Sequence, residues 1–246
     1  MRQQNHFIVV EDIQAVSWEA SPDLSLQYND LWKISIPKSL RKMDQLFALL
    51  SPDEKARVAR YFQQKDKNRF TVGRGMLRQI LGYYLNSAAR EIRLLLGTNK
   101  KPQLPAPSTI AFNLSYSHDY VLVGVGPEPL GVDIEFINPQ FDYEIMLDAC
   151  FMKQEIAVIK TSDNGRKEFF RYWTRKEALL KATALGLGDY LTDFSCLNGV
   201  QPFPPTLDVK GEWRIASCLL EESYWISIAT ESPRHQRFID ANAFFD

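Results

Sequence analysis

Two apolar segments in the middle of the chain constrain its fold most strongly. Residues 120–126 read YVLVGVG, residues 131–135 read GVDIE, and the short linker between them contains two prolines. Short apolar runs bounded by Gly and Pro predict β-strands, and a short linker predicts that the two strands pair as a hairpin. A chain built on such a pair is not all-helical, so helices elsewhere would make it an α+β protein.

Helical signals lie on both sides of this pair. The series Ser51-Pro52-Asp53-Glu54 combines an N-cap residue, a first-turn proline and a capping-box glutamate, which together mark the start of a helix. Apolar periodicity near 3.6 residues predicts further helices over 68–85, 141–160 and 167–185. Strand-like runs return near the C-terminus. We therefore predict an α+β fold with strands and helices in both halves.

The composition argues against several functional classes. A formal net charge of −1 gives no global electrostatic footprint for nucleic acid. The three cysteines have no C-x-x-C spacing, and none of the three histidines is spaced to share a metal, so we expect reduced thiols and no zinc site. No window approaches the roughly 20 apolar residues of a membrane span, and no signal peptide is recognisable. We expect a cytoplasmic protein with no nucleic-acid and no membrane partner.

The strand GVDIE points two carboxylates in one direction. Alternation along a strand sends Asp133 and Glu135 to one face and the two apolar residues to the other. A solvated outer face is the simplest explanation for this strand taken alone.

A third carboxylate lies on the apolar face of the helix predicted over 167–185. At 100° per residue, Glu177 falls between Trp173 and Phe170, where a carboxylate needs an ion pair, hydrogen bonds or a cation. Lys181, one turn further on, is a suitable ion-pair partner, so a structural pair is the alternative. If Asp133, Glu135 and Glu177 converge, their oxygen ligands suit a hard ion, Mg²⁺ or alternatively Mn²⁺.

A buried cation is predicted on the helix over 68–85. Arg74 falls on the same face as Phe70, Leu77 and Leu81, and it needs either an anion or a path for its guanidinium to reach solvent. The preceding stretch is rich in basic residues and predicts a phosphate-binding surface, with a solvated helix face as the alternative. These residues are Lys55, Arg57, Arg60, Lys65, Lys67 and Arg69.

Two motifs in this order resemble a known family. GVDIE is followed about forty residues later by WTRKEALLKATALGLG, and the pair resembles the signatures of 4′-phosphopantetheinyl transferases of the surfactin-synthetase-activating (Sfp-like) type. The resemblance implies a pseudo-dimer of two similar α/β halves. We expect residues 1–129 to form an N-terminal half with basic coenzyme A-binding helices, and residues 130–246 a C-terminal half with the metal-binding carboxylates. A monomer is then expected.

The resemblance also implies the chemistry. Such enzymes transfer phosphopantetheine from coenzyme A to a serine of an acyl, polyketide or peptidyl carrier protein and release 3′,5′-ADP. By this resemblance Asp133, Glu135 and Glu177 hold Mg²⁺, and Asp133, Glu177 and Lys181 act in catalysis. Residues expected to contact coenzyme A, the co-substrate, are Arg57, Arg69, Arg74, Lys101, Ser115, Tyr116, His118, Lys176 and Lys181.

This chain departs from the family pattern at two informative positions. Tyr116 occupies a position that is usually histidine, and a phenol donates a hydrogen bond without carrying positive charge. His118, two residues further along the predicted strand, should project to the same face and partly replace that histidine. Ala184 stands where the pattern has glycine. The glycines that follow it, Gly186 and Gly188, are expected to keep that loop flexible.

Two other functional classes are compatible with these residues. A Mg²⁺-dependent nuclease or phosphodiesterase uses clustered carboxylates and a lysine, but it would need a broad basic groove. A non-catalytic coenzyme A or carrier-binding module would not require all three carboxylates.

Overall fold

The structure is a computed structural model that describes residues 6–97, 101–185, 190–204, 207, 211–231 and 233–246. Its strands are β1 (Phe7–Asp12), β2 (Trp18–Glu19), β3 (Asn29–Ser35), β4 (Leu95–Leu96), β5 (Pro102–Gln103), β6 (Ala111–Ser117), β7 (Tyr120–Gly126), β8 (Leu130–Phe136), β9 (Gly199–Pro202), β10 (Trp213–Leu220), β11 (Tyr224–Thr230) and β12 (Gln236–Asp240). Its α-helices are α1 (Ile36–Ser39), α2 (Met43–Leu49), α3 (Pro52–Arg60), α4 (Gln64–Leu85), α5 (Leu147–Cys150), α6 (Lys153–Thr161), α7 (Gly165–Thr183) and α8 (Ala241–Phe244). Gly186 and Gly188 lie outside the described residues.

Two five-stranded sheets form the body of the protein, which confirms the predicted α+β class. One sheet has the order β2-β12-β3-β7-β6, and α4 packs on it through an apolar cluster that includes Trp32, Val123 and Leu77. The other has the order β8-β11-β10-β1-β9, and α7 covers it. Each sheet thus has one long helix on its face, an arrangement repeated in the two halves.

The two ends of the chain cross between the sheets. Strand β1 pairs in parallel with β10, and β12 pairs in parallel with β3. The sheet that carries GVDIE therefore contains a strand from the start of the sequence, and the other sheet contains one from its end. The division into halves 1–129 and 130–246 stays a prediction, and it does not describe how strands are shared between the sheets.

The predicted hairpin between YVLVGVG and GVDIE is wrong. Strand β7 pairs with β6 and β3, while β8 pairs with β11, so the linker of residues 127–129 passes from one sheet to the other. The hairpin involving β7 is formed with β6, through a tight turn at His118 and Asp119. Pairing was misassigned because both strands are buried on both faces and their apolar pattern does not specify a neighbour.

Local signals predicted the helices well. Ser51 accepts a hydrogen bond from the backbone of Glu54, whose side chain accepts one from the backbone of Ser51, so α3 begins with the predicted capping box. Helices α4 and α7 cover the predicted ranges 68–85 and 167–185 except for the last two residues of the second. The helix predicted over 141–160 is only partly present: residues 141–143 are not helical, Glu144–Met146 form a 3₁₀ turn, and the rest is divided at Phe151 and Met152 into α5 and α6.

Gly131 allows α7 to lie close to β8. A Cβ atom at this position would collide with the carbonyl oxygen of Ala178 and the amide of Ala182, both on α7. The glycine of GVDIE therefore sets the distance between the strand and the helix that carry the predicted carboxylates. In the described part of the chain, no helix has the length and apolarity needed to cross a membrane.

Candidate active site

The candidate site lies where the edge strands of the two sheets meet, β6 from one and β8 from the other. Alternate side chains of β6 reach across to β8: Asn113 Oδ1 accepts from the amide of Val132 (2.8 Å), and Ser117 Oγ accepts from the amide of Phe136 (2.8 Å). These bonds satisfy backbone donors of an edge strand that lacks a neighbour on this side. The junction therefore fixes β8, and with it the two carboxylates of GVDIE.

The same face of β6 orients those carboxylates. Ser115 Oγ donates to Asp133 Oδ1 (2.7 Å), and Ser117 Oγ donates to Glu135 Oε2 (2.9 Å). Lys181 on α7 donates to the same Asp133 oxygen at 2.6 Å, and its Nζ lies 3.9 Å from Glu177 Oε2. The structure therefore brings together the three carboxylates and the lysine that the sequence singled out.

Burial and mutual repulsion hold protons on this cluster. Burial, with a further contribution from the neighbouring Asp133 carboxylate, raises the pKa of Glu135 to about 7. The same two causes raise the pKa of Glu177 to about 7. Burial opposes the charge of Lys181, but the adjacent carboxylates, Asp133 first, raise its pKa. Near neutral pH the cluster therefore contains the charged Lys181 ammonium together with carboxyl groups whose pKa values are raised.

The oxygen atoms of the cluster suit a hard divalent cation. Asp133 Oδ2 and Glu177 Oε1 are buried acceptors without a hydrogen-bond partner, which is costly unless a cation satisfies them. Over the described ranges, however, no three His, Cys, Asp or Glu side chains are already arranged to bind a metal ion. The Lys181 ammonium lies between Asp133 and Glu177. The assignment of Asp133, Glu135 and Glu177 as Mg²⁺ ligands therefore fits chemically and stays a prediction.

A cavity of about 1000 Å³, here called the basic cavity, opens on one side of the cluster. Glu177 and Lys181 form part of its wall. The predicted coenzyme A contacts that line it are Arg57, Arg69, Arg74, Lys101 and Tyr116. Arg74 is 6% exposed, its Nε has no hydrogen-bond partner, and the nearest carboxylate, on Glu54, lies 3.8 Å away. The cavity thus combines several cations with an unused buried donor, as an anionic ligand requires.

Lys101 couples the wall of this cavity to α7. Its Nζ donates to the carbonyl oxygen of Lys181 (2.9 Å) at the end of the helix. Burial, and secondarily the charge of Lys181, lower the pKa of Lys101.

Tyr116 fits its position because α4 has a glycine opposite it. A Cβ atom at Gly73 would overlap the Tyr116 ring. Burial raises the pKa of Tyr116, so its hydroxyl is a neutral donor at the wall of the basic cavity. Tyrosine therefore reaches further across the cavity wall than a histidine would.

His118 does not share a face with Tyr116, contrary to prediction. Strand β6 ends at Ser117, and His118 adopts a left-handed conformation (φ 46°) in the following turn. Its ring stacks on Phe136 and pairs with Asp119 at 3.0 Å, outside the basic cavity. The turn reverses the chain before alternation can return the side chain to the Tyr116 face, so His118 is not placed to substitute for the missing histidine.

Lys176 does not line the basic cavity, and its predicted contact with coenzyme A stays a prediction. Its Nζ is fully buried, pairs with Glu155 at 2.9 Å and donates to the carbonyl oxygens of Leu191 (2.5 Å) and Phe194 (2.6 Å). One step along a helix rotates a side chain by about 100°, so the neighbour of Glu177 faces the loop beyond α7. Ser115, likewise, does not line the basic cavity, and its hydroxyl donates to Asp133.

A second cavity, of about 720 Å³ and here called the aromatic cavity, opens on the other side of the cluster. Its apolar wall consists of Ile36, Leu40, Phe136, Phe141, Met146, Phe169, Phe170 and Trp173. Glu135, Lys65, Arg69 and His118 add charged or polar groups. Arg69 lines both cavities, so they adjoin there, while Glu135 lines this cavity and Glu177 lines the basic one.

Asn113 and Ser117 were missed by the sequence analysis. Both hold β8 in place, and Ser117 also orients Glu135. Their signal is the alternation N-x-S-x-S over residues 113–117, which puts three polar side chains on one face of an otherwise apolar strand.

Comparison with known proteins gives a consistent match. A family model described as the 4′-phosphopantetheinyl transferase superfamily matches residues 129–229. A model described as 4′-phosphopantetheinyl transferase, N-terminal, matches residues 37–128.

Individual relatives agree with the family models. The 4′-phosphopantetheinyl transferase HetI of Nostoc is 36% identical over 174 residues, which cover 68% of this chain and 73% of HetI. Sfp of Bacillus subtilis is 26% identical over 161 residues, 65% of this chain and 71% of Sfp. The human L-aminoadipate-semialdehyde dehydrogenase-phosphopantetheinyl transferase is 25% identical over an alignment of 259 positions, which covers 94% of this chain and 80% of the human protein.

Proposed function

Because this chain belongs to the 4′-phosphopantetheinyl transferase superfamily and its reaction is the modification of a carrier-protein serine, we propose roles for its two cavities and its carboxylate cluster. Coenzyme A occupies the basic cavity, and the carrier serine arrives through the aromatic cavity. The observation that carries this proposal is that Glu177 and Lys181 line one cavity while Glu135 lines the other. Donor and acceptor thus reach the cluster from different sides.

Electrostatics support coenzyme A in the basic cavity. Arg57, Arg69 and Arg74 supply guanidinium groups, which bind phosphate through paired N–H donors. The unpartnered Nε of Arg74 is already buried, so a phosphate there removes an existing desolvation cost. Tyr116 adds a neutral donor. Arg57 is also stacked on Phe70, with its guanidinium carbon 4.8 Å from the ring centre, which limits its freedom before binding.

The aromatic cavity suits a carrier protein. It offers exposed apolar side chains, among them Leu40 at 44% and Phe141 at 37%, beside the cations Lys65 and Arg69. Such a surface complements a helix with an apolar face and acidic flanks. A carrier bound here would place its serine beside Glu135.

Asp133, Glu135 and Glu177 would hold Mg²⁺, which when bound neutralises charge that develops on the pyrophosphate. The serine oxygen forms a bond to the β-phosphorus, the bond from that phosphorus to the bridging oxygen breaks, and 3′,5′-ADP leaves. Glu177, which lines the basic cavity, accepts the serine proton directly or through a water that it orients. Lys181 stabilises the departing phosphate.

The test is the intact mass of an apo carrier protein after incubation with this protein, coenzyme A and Mg²⁺. We expect a gain of one phosphopantetheine group that is absent when EDTA is present. A panel of fatty-acid, polyketide and peptide carriers covers the substrate classes of the family. A gain that persists in EDTA would contradict the metal assignment, and no gain on any carrier would contradict the proposed reaction.

A further inference from the structure

Within the described part of the chain, Glu177 is not held in position by hydrogen bonds of its own. Its Oε1 has no partner, and its Oε2 lies 3.9 Å from the nearest ammonium, that of Lys181. The location of this carboxylate therefore depends on how firmly α7 is fixed to the sheet beneath it. Thr174, Arg175 and Lys176, which precede it on α7, make the relevant polar contacts.

Arg175 is fully buried and donates four hydrogen bonds. Its Nε donates to Ser217 Oγ (2.9 Å) and its Nη1 to the carbonyl oxygen of Cys196 (2.7 Å). Its Nη2 donates to Asp12 Oδ1 (2.7 Å) and to Asn198 Oδ1 (2.8 Å). Since the planar guanidinium meets partners in several directions, it fixes both the depth and the rotation of α7.

Asp12, the last residue of β1, supplies the negative charge for this contact. Its carboxylate also accepts hydrogen bonds from Arg171, one turn earlier on α7, and from Asn198 Nδ2 (3.0 Å). Two guanidinium groups from one helix thus converge on one carboxylate. Like charges one turn apart repel, and the shared Asp12 carboxylate offsets that repulsion where both guanidinium groups face the sheet, while Glu168 pairs with Arg171 alone.

The same polar network reaches β11, the strand that pairs with the one carrying Asp133. Ser217, bonded to Arg175, lies 3.0 Å from Ser227 through their hydroxyl oxygens, and Ser227 lies 2.9 Å from Thr174 Oγ1 on α7. In the β11–β8 ladder, Ser227 is directly opposite Asp133. Polar contacts therefore connect Asp12, α7 and the position opposite the first carboxylate of GVDIE.

We propose that Asp12 is a positioning residue for catalysis: acting through Arg175, it sets the placement of α7 and hence of the Glu177 carboxylate relative to Asp133. This inference rests on the proposed role of Glu177. Strand β1 lies outside the family-model matches, which cover residues 37–128 and 129–229, so those matches give Asp12 no role. The N-terminal strand thereby contributes to a site built from the middle of the chain.

The test compares Asp12→Asn with Asp30→Asn in the full-length protein. Asp30 makes the corresponding buried pair with Arg237 (2.8 Å) between β3 and β12, away from both cavities, so it is a matched control. We expect both substitutions to lower Tm. Only Asp12→Asn should lower kcat for transfer to an apo carrier, by about tenfold or more, because small misplacement of a catalytic group is costly. The KM for coenzyme A should stay within about twofold of wild type, since the basic residues that bind it are not displaced.

A milder variant guards against failure to fold. Asn198→Ala removes three hydrogen bonds, those with Arg171, Arg175 and Asp12, but keeps the ion pair, and it should lower kcat in the same direction by a smaller factor. Unchanged kcat in Asp12→Asn, or in Asn198→Ala if Asp12→Asn does not fold, would overturn the proposal. An equal loss of kcat in Asp30→Asn would also overturn it, since general loosening would then be sufficient. Wild-type turnover in the same assay tests the proposed function separately.

Discussion

Helices α4 and α7 each carry a charged residue on the face that packs into the protein. On α4, Arg74 and Arg78 share one carboxylate, Glu54, at 3.8 and 2.9 Å, and Arg78 also donates to the carbonyl oxygen of Ile92 (2.6 Å). This leaves Arg74 with a spare donor beside the basic cavity. The helix therefore presents excess positive charge to a ligand.

Where α7 meets β8, the excess charge is negative instead of positive. Glu177 joins Asp133 and Glu135, and Lys181 is the ammonium bonded within this group. Two carboxylate oxygens remain without partners. The comparison shows how one fold element, a long helix on a sheet, creates either an anion site or a cation site according to which charge its neighbours leave uncompensated.

The largest effect on the transfer rate is expected from a substitution in the carboxylate cluster. Glu177→Gln keeps the size of the side chain but removes the proposed base and one predicted metal ligand, so transfer should fall by about 10³-fold or more. Without Mg²⁺ its Tm should equal or exceed that of wild type, because a buried like charge is gone. Intact-mass kinetics and thermal melts check both. Asp163→Asn, an exposed carboxylate just before α7, is the control, and a wild-type rate in Glu177→Gln would remove Glu177 from the mechanism.

Substitutions in the basic cavity should affect coenzyme A binding more than the transfer step. Arg74→Met removes a charged donor from the basic cavity, and a charge-assisted hydrogen bond contributes about 1.5–3 kcal/mol. We expect the KM for coenzyme A to rise about 10- to 100-fold while the KM for the carrier is unchanged. Arg90→Met, at an exposed site that lines neither cavity, provides the control. A change confined to the carrier KM would reverse the proposed assignment of the cavities.

The contact of α4 with Tyr116 can be tested by a double substitution. Gly73→Ala should lower stability by about 1–3 kcal/mol, since the new methyl group overlaps the Tyr116 ring. Tyr116→His shortens the side chain, so the combination should recover most of that loss, and coenzyme A affinity should be kept or improved. Denaturant unfolding of the four proteins measures the coupling. Additive losses would mean that the ring is not what excludes a side chain at Gly73.

At the carboxylate cluster, pH should control how much bound Mg²⁺ raises the free energy of unfolding. The pKa values of Glu135 and Glu177 are raised from 4.5 to about 7, so the folded protein holds these protons more tightly than the unfolded chain. Without metal, this contribution to the free energy of unfolding falls as pH rises from about 4.5 to about 7. Mg²⁺ must displace the same protons, so its stabilisation should be larger at pH 8 than at pH 6. Melting curves with and without Mg²⁺ at the two pH values decide this, and equal shifts would contradict it.

The smallest expected effect concerns how the two helices end. Both are followed by a left-handed residue, Asn86 (φ 48°) after α4 and Ala184 (φ 58°) after α7. Alanine is unfavourable there, so Ala184→Gly should stabilise by about 1 kcal/mol, whereas Asn86→Gly should change stability by a few tenths. For a protein of this size, the first corresponds to a rise in Tm of about 2–4 °C. Equal shifts would show that the Ala184 conformation carries no penalty.

Sequence reasoning was most successful where one element contains the whole signal. The capping box at Ser51 and Glu54, and the placement of Arg74 and Glu177 on apolar helix faces, depend only on local spacing. It failed where a turn or a distant segment decides the outcome. His118 lies in a turn instead of on the strand, and Lys176 is paired with Glu155 and with carbonyl oxygens of the segment after α7.

The sequence by itself determined the long helices α4 and α7, the start of α3, the α+β class, the family and the charged residues around which the site is built. Only the tertiary structure decided which strands pair, that β6 hydroxyls orient Asp133 and Glu135, and that Asp12 meets Arg175. The physical reason is the separation along the chain between the residues that interact. Helix periodicity and capping arise from residues three or four apart. Strand pairing and the balancing of a buried charge depend on partners further along the chain, 18 residues for Ser115 and Asp133 and 163 for Asp12 and Arg175, and no local pattern specifies them.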